Sequence, residues 1–109
     1  MSYEIIPTNR FERELKRLLK KYPSLKKEYA QLIDDIEDNC YLGEPLGNDC
    51  YKIRVSIASK QKGKSGGARV ISFVYSRKEI VYLLSIYDKS QMSNIAESAV
   101  IARINELDL

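Results

Sequence analysis

The stretch CYKIRVSIA, residues 50–58, alternates side chains in a way that decides the architecture of the chain around it. Successive side chains of an extended strand point to opposite sides, so Tyr51, Ile53, Val55 and Ile57 share one face. Lys52, Arg54 and Ser56 share the other. The first face needs a hydrophobic cover. The second is cationic where a solvent face usually mixes charges. Ala68–Tyr75 (ARVISFVY) reads as a second strand and Ile80–Tyr87 (IVYLLSIY) as a third, with Ser76–Glu79 as the hairpin turn between them. The third is apolar at nearly every position, which predicts an interior strand covered on both faces.

Upstream the period lengthens to that of a helix. Phe11, Leu15, Leu18, Leu19 and Tyr22 form one apolar stripe, opened by a capping box of Asn9 and Glu12 and stopped by Pro23. Ser24 is placed to cap a second helix, whose stripe of Leu25, Tyr29, Leu32, Ile33 and Ile36 ends near Asn39 and Gly43. Tyr3–Thr8 reads as a short strand, at an edge or a strand end because of Pro7. At the other end, Asn94 with Glu97 offers a capping box for a terminal helix carrying Ile95, Ala99, Val100, Ile104 and Leu107. The expected order is β-α-α-β-β-β-α. It describes one α+β domain over residues 1–109, a helical hairpin packed on a small, mostly antiparallel sheet.

The whole chain suits that size. It has 109 residues, 44% of them apolar and 30% charged, which is enough for a single modest core. No apolar run is long enough to span a bilayer, and the N-terminal residues lack the order of a signal peptide, so a cytoplasmic location without membrane contact is expected. Cys40 and Cys50 have no partners at metal-site spacing and are expected to be reduced thiols. The chain contains no histidine. That removes the usual general base and the usual zinc ligand, so no metal site is expected and any chemistry falls to Lys, Arg, Tyr or carboxylates.

The net charge of +3 is unevenly spread. From Cys50 to Lys78 there are eight cations and no acid, in a chain whose other parts are acidic. Such a segment is the electrostatic footprint of a polyanion, and it equally suits an acidic protein partner. At its centre lies KQKGKSGGAR, residues 60–69. Glycines there would let backbone amides approach a phosphate, and Lys60, Lys62 and Lys64 supply charge around it. A long solvated hairpin loop would look the same. The loop lacks the Walker pattern and the helix that follows it.

DCYKIRV at 49–55, GGARVISFV at 66–74 and IVYLLSIYDKSQMSNI at 80–95 together resemble the RelE/ParE toxin superfamily, in its RelE and HigB-like branches. The resemblance extends over nearly the whole chain. It implies a toxin of a type II toxin–antitoxin module, held inactive by a cognate antitoxin, and in the RelE-like members a ribosome-dependent endoribonuclease acting on mRNA. On that resemblance Lys52 and Arg54 match the paired basic residues of the catalytic strand, and Arg69 the arginine opening the next strand. Lys89 matches a further basic residue after the last one. The tyrosine some RelE members carry near the C-terminus aligns with Ile95, leaving Tyr87 as the nearby substitute.

Chemistry of that kind needs no cofactor. RNA supplies its own nucleophile, the 2′-hydroxyl beside the scissile phosphate. Cleavage then requires a base, stabilisation of the phosphorane-like charge and a proton for the leaving oxygen. Lys52, with its pKa lowered by neighbouring cations, is the candidate base or proton shuttle, and Arg54 and Arg69 would hold the phosphate. Tyr87 could be acid or base if cations lower its pKa, or could stack on a nucleobase. Two alternatives remain open at this level: a ParE-like inhibitor of DNA gyrase without nuclease activity, and a non-catalytic RNA-binding module.

Overall fold

A computed structural model describes residues 3–60 and 66–109. It contains β1 (Glu4–Pro7), α1 (Asn9–Lys21), α2 (Leu25–Asp38), β2 (Glu44–Gly47), β3 (Cys50–Val55), β4 (Ala68–Tyr75), β5 (Ile80–Asp88) and α3 (Glu97–Asn105). The strands form one sheet in the order β1-β5-β4-β3-β2. Only the β1–β5 pair is parallel.

The helical stripes pack as their spacing dictates. Phe11, Leu15 and Leu18 of α1 and Leu25, Leu32 and Ile36 of α2 are buried in one core with Ile53, Val55, Val70, Val81 and Leu83 from the sheet. Each such side chain contributes about 1.5–3 kcal/mol by leaving water. Pro23 falls in the break between the two helices, as expected. The opposite face of the sheet is also occupied. α3 lays Val100 against Cys50, Ile71, Phe73, Leu84 and Tyr87, forming a second, smaller core. Burial pushes the Cys50 thiol up to about 11, so it stays a protonated thiol.

Four local expectations are corrected. A strand the sequence did not announce, β2, makes the order β-α-α-β-β-β-β-α. It is four residues long, contains Pro45, and sits at the sheet edge, where a proline is tolerated. Thr8, not Asn9, caps α1: its Oγ1 accepts from the Phe11 amide at 3.2 Å and donates to the Leu83 carbonyl at 2.9 Å. Ser24 precedes α2 but makes no cap bond; its hydroxyl bonds Glu28 instead. α3 begins after Ala96 without a side-chain cap; Asn94 stands two residues too early to cap it and accepts from Lys52 Nζ.

β5 carries one irregularity with large consequences. Ile71 pairs with Ser85 while Ser72 pairs with Leu83, so Leu84 is an extra residue in the ladder. Leu83 therefore faces the helical hairpin and Leu84 the α3 side. Simple alternation from Leu83 would send Tyr87 toward the hairpin. The bulge sends it to the cationic face, the re-aiming that bulges accomplish near functional sites.

Candidate active site

β3, β4 and β5 bring Arg54, Arg69 and Tyr87 into one row across the sheet. Arg54 is the register partner of Arg69, and Arg69 that of Tyr87. Neighbouring strands lie about 4.8 Å apart, so the row is about 10 Å long. Lys52 lies on the same face two residues along β3, and Lys89 follows Tyr87 at the end of β5. The fold thus places Lys52, Arg54, Arg69 and Tyr87 on the face opposite the hairpin, with Lys89 just beyond the end of β5.

The row is not uniformly open, contrary to the simple picture of a solvent-facing patch. Arg54 is exposed, whereas Arg69 is only 4% exposed and Tyr87 6%. The α3 side closes over Tyr87, which packs with Ile71, Leu84, Val100 and Ile95. Arg69 donates through Nη1 to the Ala68 carbonyl at 3.1 Å. A planar guanidinium held this way keeps a fixed direction, as bidentate phosphate contact needs.

Lys52 has acidic company that the eight-cation count could not show. Glu44 is its register partner on β2, and the two approach to 3.5 Å. Its Nζ also donates to Asn94 Oδ1 at 3.3 Å, which ties the segment before α3 to the site. Beyond Lys52, β2 no longer pairs with β3, and a groove of about 550 Å³ opens there between α2 and the strand. Lys52 and Arg54 line it together with Glu28, Asp35 and Glu44.

Tyr87 reverses one expectation. Its pKa is raised, because burial outweighs the opposing influence of Arg69 and of the Ile95 amide. The hydroxyl meets no partner within strict hydrogen-bond geometry among the described residues, although the nearby Ile95 backbone partly offsets the burial. A tyrosine in this state holds its proton at neutrality and suits an acid better than a base.

The loop lysines separate. Lys62 and Lys64 lie outside the described residues. Lys60 is placed, and it is not a solvated loop cation: its side chain is 6% exposed and paired with Asp88, on the hairpin side of the sheet. Arg77 and Lys78, part of the same basic segment, occupy the turn at the far end of β4 and belong to no common patch with the row. Gly67 is required by packing: a Cβ there would stand 2.1 Å from the Val55 carbonyl oxygen. Asp88, readable in the sequence only as a turn residue, is the partner of Lys60 that the sequence did not announce. A charged residue ending an otherwise apolar strand was the available signal.

A family model for the RelE toxin of RelE/RelB toxin–antitoxin systems matches residues 8–105. Among solved structures, a mutant of Escherichia coli toxin RelE in the free state superposes with a TM-score of 0.63 at 16% identity, covering 98% of this chain and 99% of that one. A mutant E. coli RelE bound to an antitoxin RelB peptide gives 0.62 at 18% identity and 95% coverage of each chain. The intact E. coli RelBE complex gives 0.58 at 19% identity, covering 80% of this chain and 96% of that one.

Proposed function

This chain belongs to the RelE toxin family of type II toxin–antitoxin systems, and from that premise we propose that it is an endoribonuclease that cuts mRNA on the translating ribosome. The observation that carries the reading is the cross-strand row of Arg54, Arg69 and Tyr87 with Lys52 and Lys89 beside it. In the proposed step the 2′-oxygen forms a bond to phosphorus and the bond from phosphorus to the 5′-oxygen breaks. Lys52 takes or relays the 2′-hydroxyl proton. Arg54 and Arg69 hold the phosphate oxygens and stabilise the charge that builds on them. Tyr87, kept protonated by burial, gives its proton to the departing 5′-oxygen, and Lys89 adds positive charge at that end. The chemistry uses the RNA's own nucleophile and draws on no cofactor.

The proposed partners are the ribosome with its mRNA and a cognate antitoxin. The supporting observation for the antitoxin is that the fold is shared with RelE in its RelB complexes. An acidic or amphipathic antitoxin segment fits the basic row or the groove beside α2. Among the described residues no helix is long and apolar enough to cross a membrane.

Induced expression followed by mapping of mRNA 5′ ends tests the reading. Cuts confined to translated messages are expected. Intact mRNA with DNA damage would instead make the chain a gyrase inhibitor, and ribosome binding with neither effect would make it a binding module.

A further inference from the structure

Asp88 is the last residue of β5, and its carboxylate is fully buried. It accepts from Lys60 Nζ, from the Tyr22 hydroxyl at 2.7 Å, and from the Ser90 amide at 2.9 Å and hydroxyl at 2.7 Å. The Lys60 ammonium also lies 3.3 Å from Ser90 Oγ and 5.4 Å from the centroid of the Tyr22 ring. The end of α1, the turn after β3 and the end of β5 thereby meet at one ion pair. Stability is a weak reason for burying such a pair, since apolar packing of equal volume usually does as well or better. Fixed geometry is the stronger reason.

What it fixes is the end of β5, next to the candidate site. Lys60 and Gly67 flank residues 61–66. Lys60 is pinned by Asp88, and the Gly67 carbonyl accepts from the Lys89 amide at 3.0 Å. Just before Lys60, Ser59 and Ser24 exchange bonds of 2.9 and 3.0 Å, and the Ala58 amide donates to Glu28 at 2.7 Å. In the chain Asp88 stands between Tyr87 and Lys89, so any movement of its carbonyl or Cα redirects both. We infer that Lys60 and Asp88 form a positioning latch, which holds both ends of the basic loop against the end of β5 and sets the directions of Tyr87 and Lys89. Neither residue touches substrate. What the latch serves rests on the nuclease reading; that it holds the loop ends does not.

The test uses the full chain with Lys60→Met, Asp88→Asn and the double variant. Each single change leaves a buried charge unpaired and lowers the thermal midpoint, and the double change recovers most of the loss. Amide exchange at Lys89 and Ser90 is expected to quicken at least about tenfold in all three. Single-turnover cleavage on programmed ribosomes is expected to fall about 10–100-fold with KM within about twofold, the pattern of misplaced rather than missing groups. A double variant with wild-type exchange and wild-type cleavage overturns the latch. If the unaltered protein cuts no mRNA, the nuclease reading fails, and the exchange comparison alone decides the latch.

Discussion

Tyr87 has a buried hydroxyl without a partner in hydrogen-bond geometry among the described residues, so the phenol oxygen adds little to stability. Tyr87→Phe is therefore expected to leave the thermal midpoint unchanged or slightly raised, because an unsatisfied polar atom is removed. Cleavage should nevertheless fall by about 10²–10⁴, the usual contribution of a positioned acid. Because burial raises the tyrosine above its ordinary value, no alkaline limb from its ionisation should appear below a pH of about 10. Unchanged single-turnover rates in the phenylalanine variant would remove Tyr87 from the chemistry. Arg69, its neighbour in the row, poses the complementary case. Arg69→Ala should slow the bound step by about 10²–10³, as loss of a donor to developing charge does, with little change in ribosome affinity. Arg69→Lys keeps the charge but loses the fork, and should recover only part of the rate. If Arg69→Ala cuts normally once bound, its place in the site is wrong.

At the scale of elements, β3 and the two hairpin helices were legible because their periods are unbroken over six residues or more. β3 shows this best, with Lys52 and Arg54 on one face and Ile53 and Val55 on the other. β2 was not legible, since EPLG has four residues and no alternation. Nor was the bulge at Leu84, because a run that is apolar on both faces hides a shift of one residue. Lys60 shows a different limit: its partner is 28 residues away, and composition placed it with Lys62 and Lys64. The three should behave differently. Lys62→Gln with Lys64→Gln is expected to weaken ribosome binding and flatten its salt dependence while sparing the bound step. Lys60→Gln should spare the salt dependence and lower both the bound rate and the thermal midpoint. Equal effects from all three would return Lys60 to the loop. Acid offers a further check on its partner. Burial pushes the Asp88 carboxyl up, but bonds from Lys60, Ser90 and Tyr22 prevail and hold it well below the usual range. On acidification the unfolded chain takes this proton first, so the carboxylate's contribution is complete above the unfolded value of about 3.9 and is lost below it. The stability difference between the unaltered protein and Asp88→Asn should be constant from neutrality to a pH of about 5, then shrink. A difference that persists undiminished at pH 2 would contradict the pairing.

Across the whole molecule, the basic segment that first suggested a polyanion is divided by the sheet itself. Arg54, Arg69 and Lys89 gather at one end of the strands, and Arg77 and Lys78 occupy the turn at the other. β4 separates them with eight residues, about 25 Å at the usual rise of a strand. The Debye length is about 8 Å at physiological ionic strength and about 30 Å at 0.01 M. The far turn is therefore about three screening lengths from the site in the cell but within one in dilute buffer. Arg77→Gln with Lys78→Gln should then leave ribosome affinity within about twofold at physiological salt and weaken it clearly at 0.01 M. Arg54→Gln, which removes an exposed charge inside the row, should weaken it at both. Measuring the affinity of each variant for programmed ribosomes across that salt range decides the matter. A far-turn variant as weak as Arg54→Gln at physiological salt would mean that both ends of the sheet touch the anion, and that the bound surface is far larger than the row.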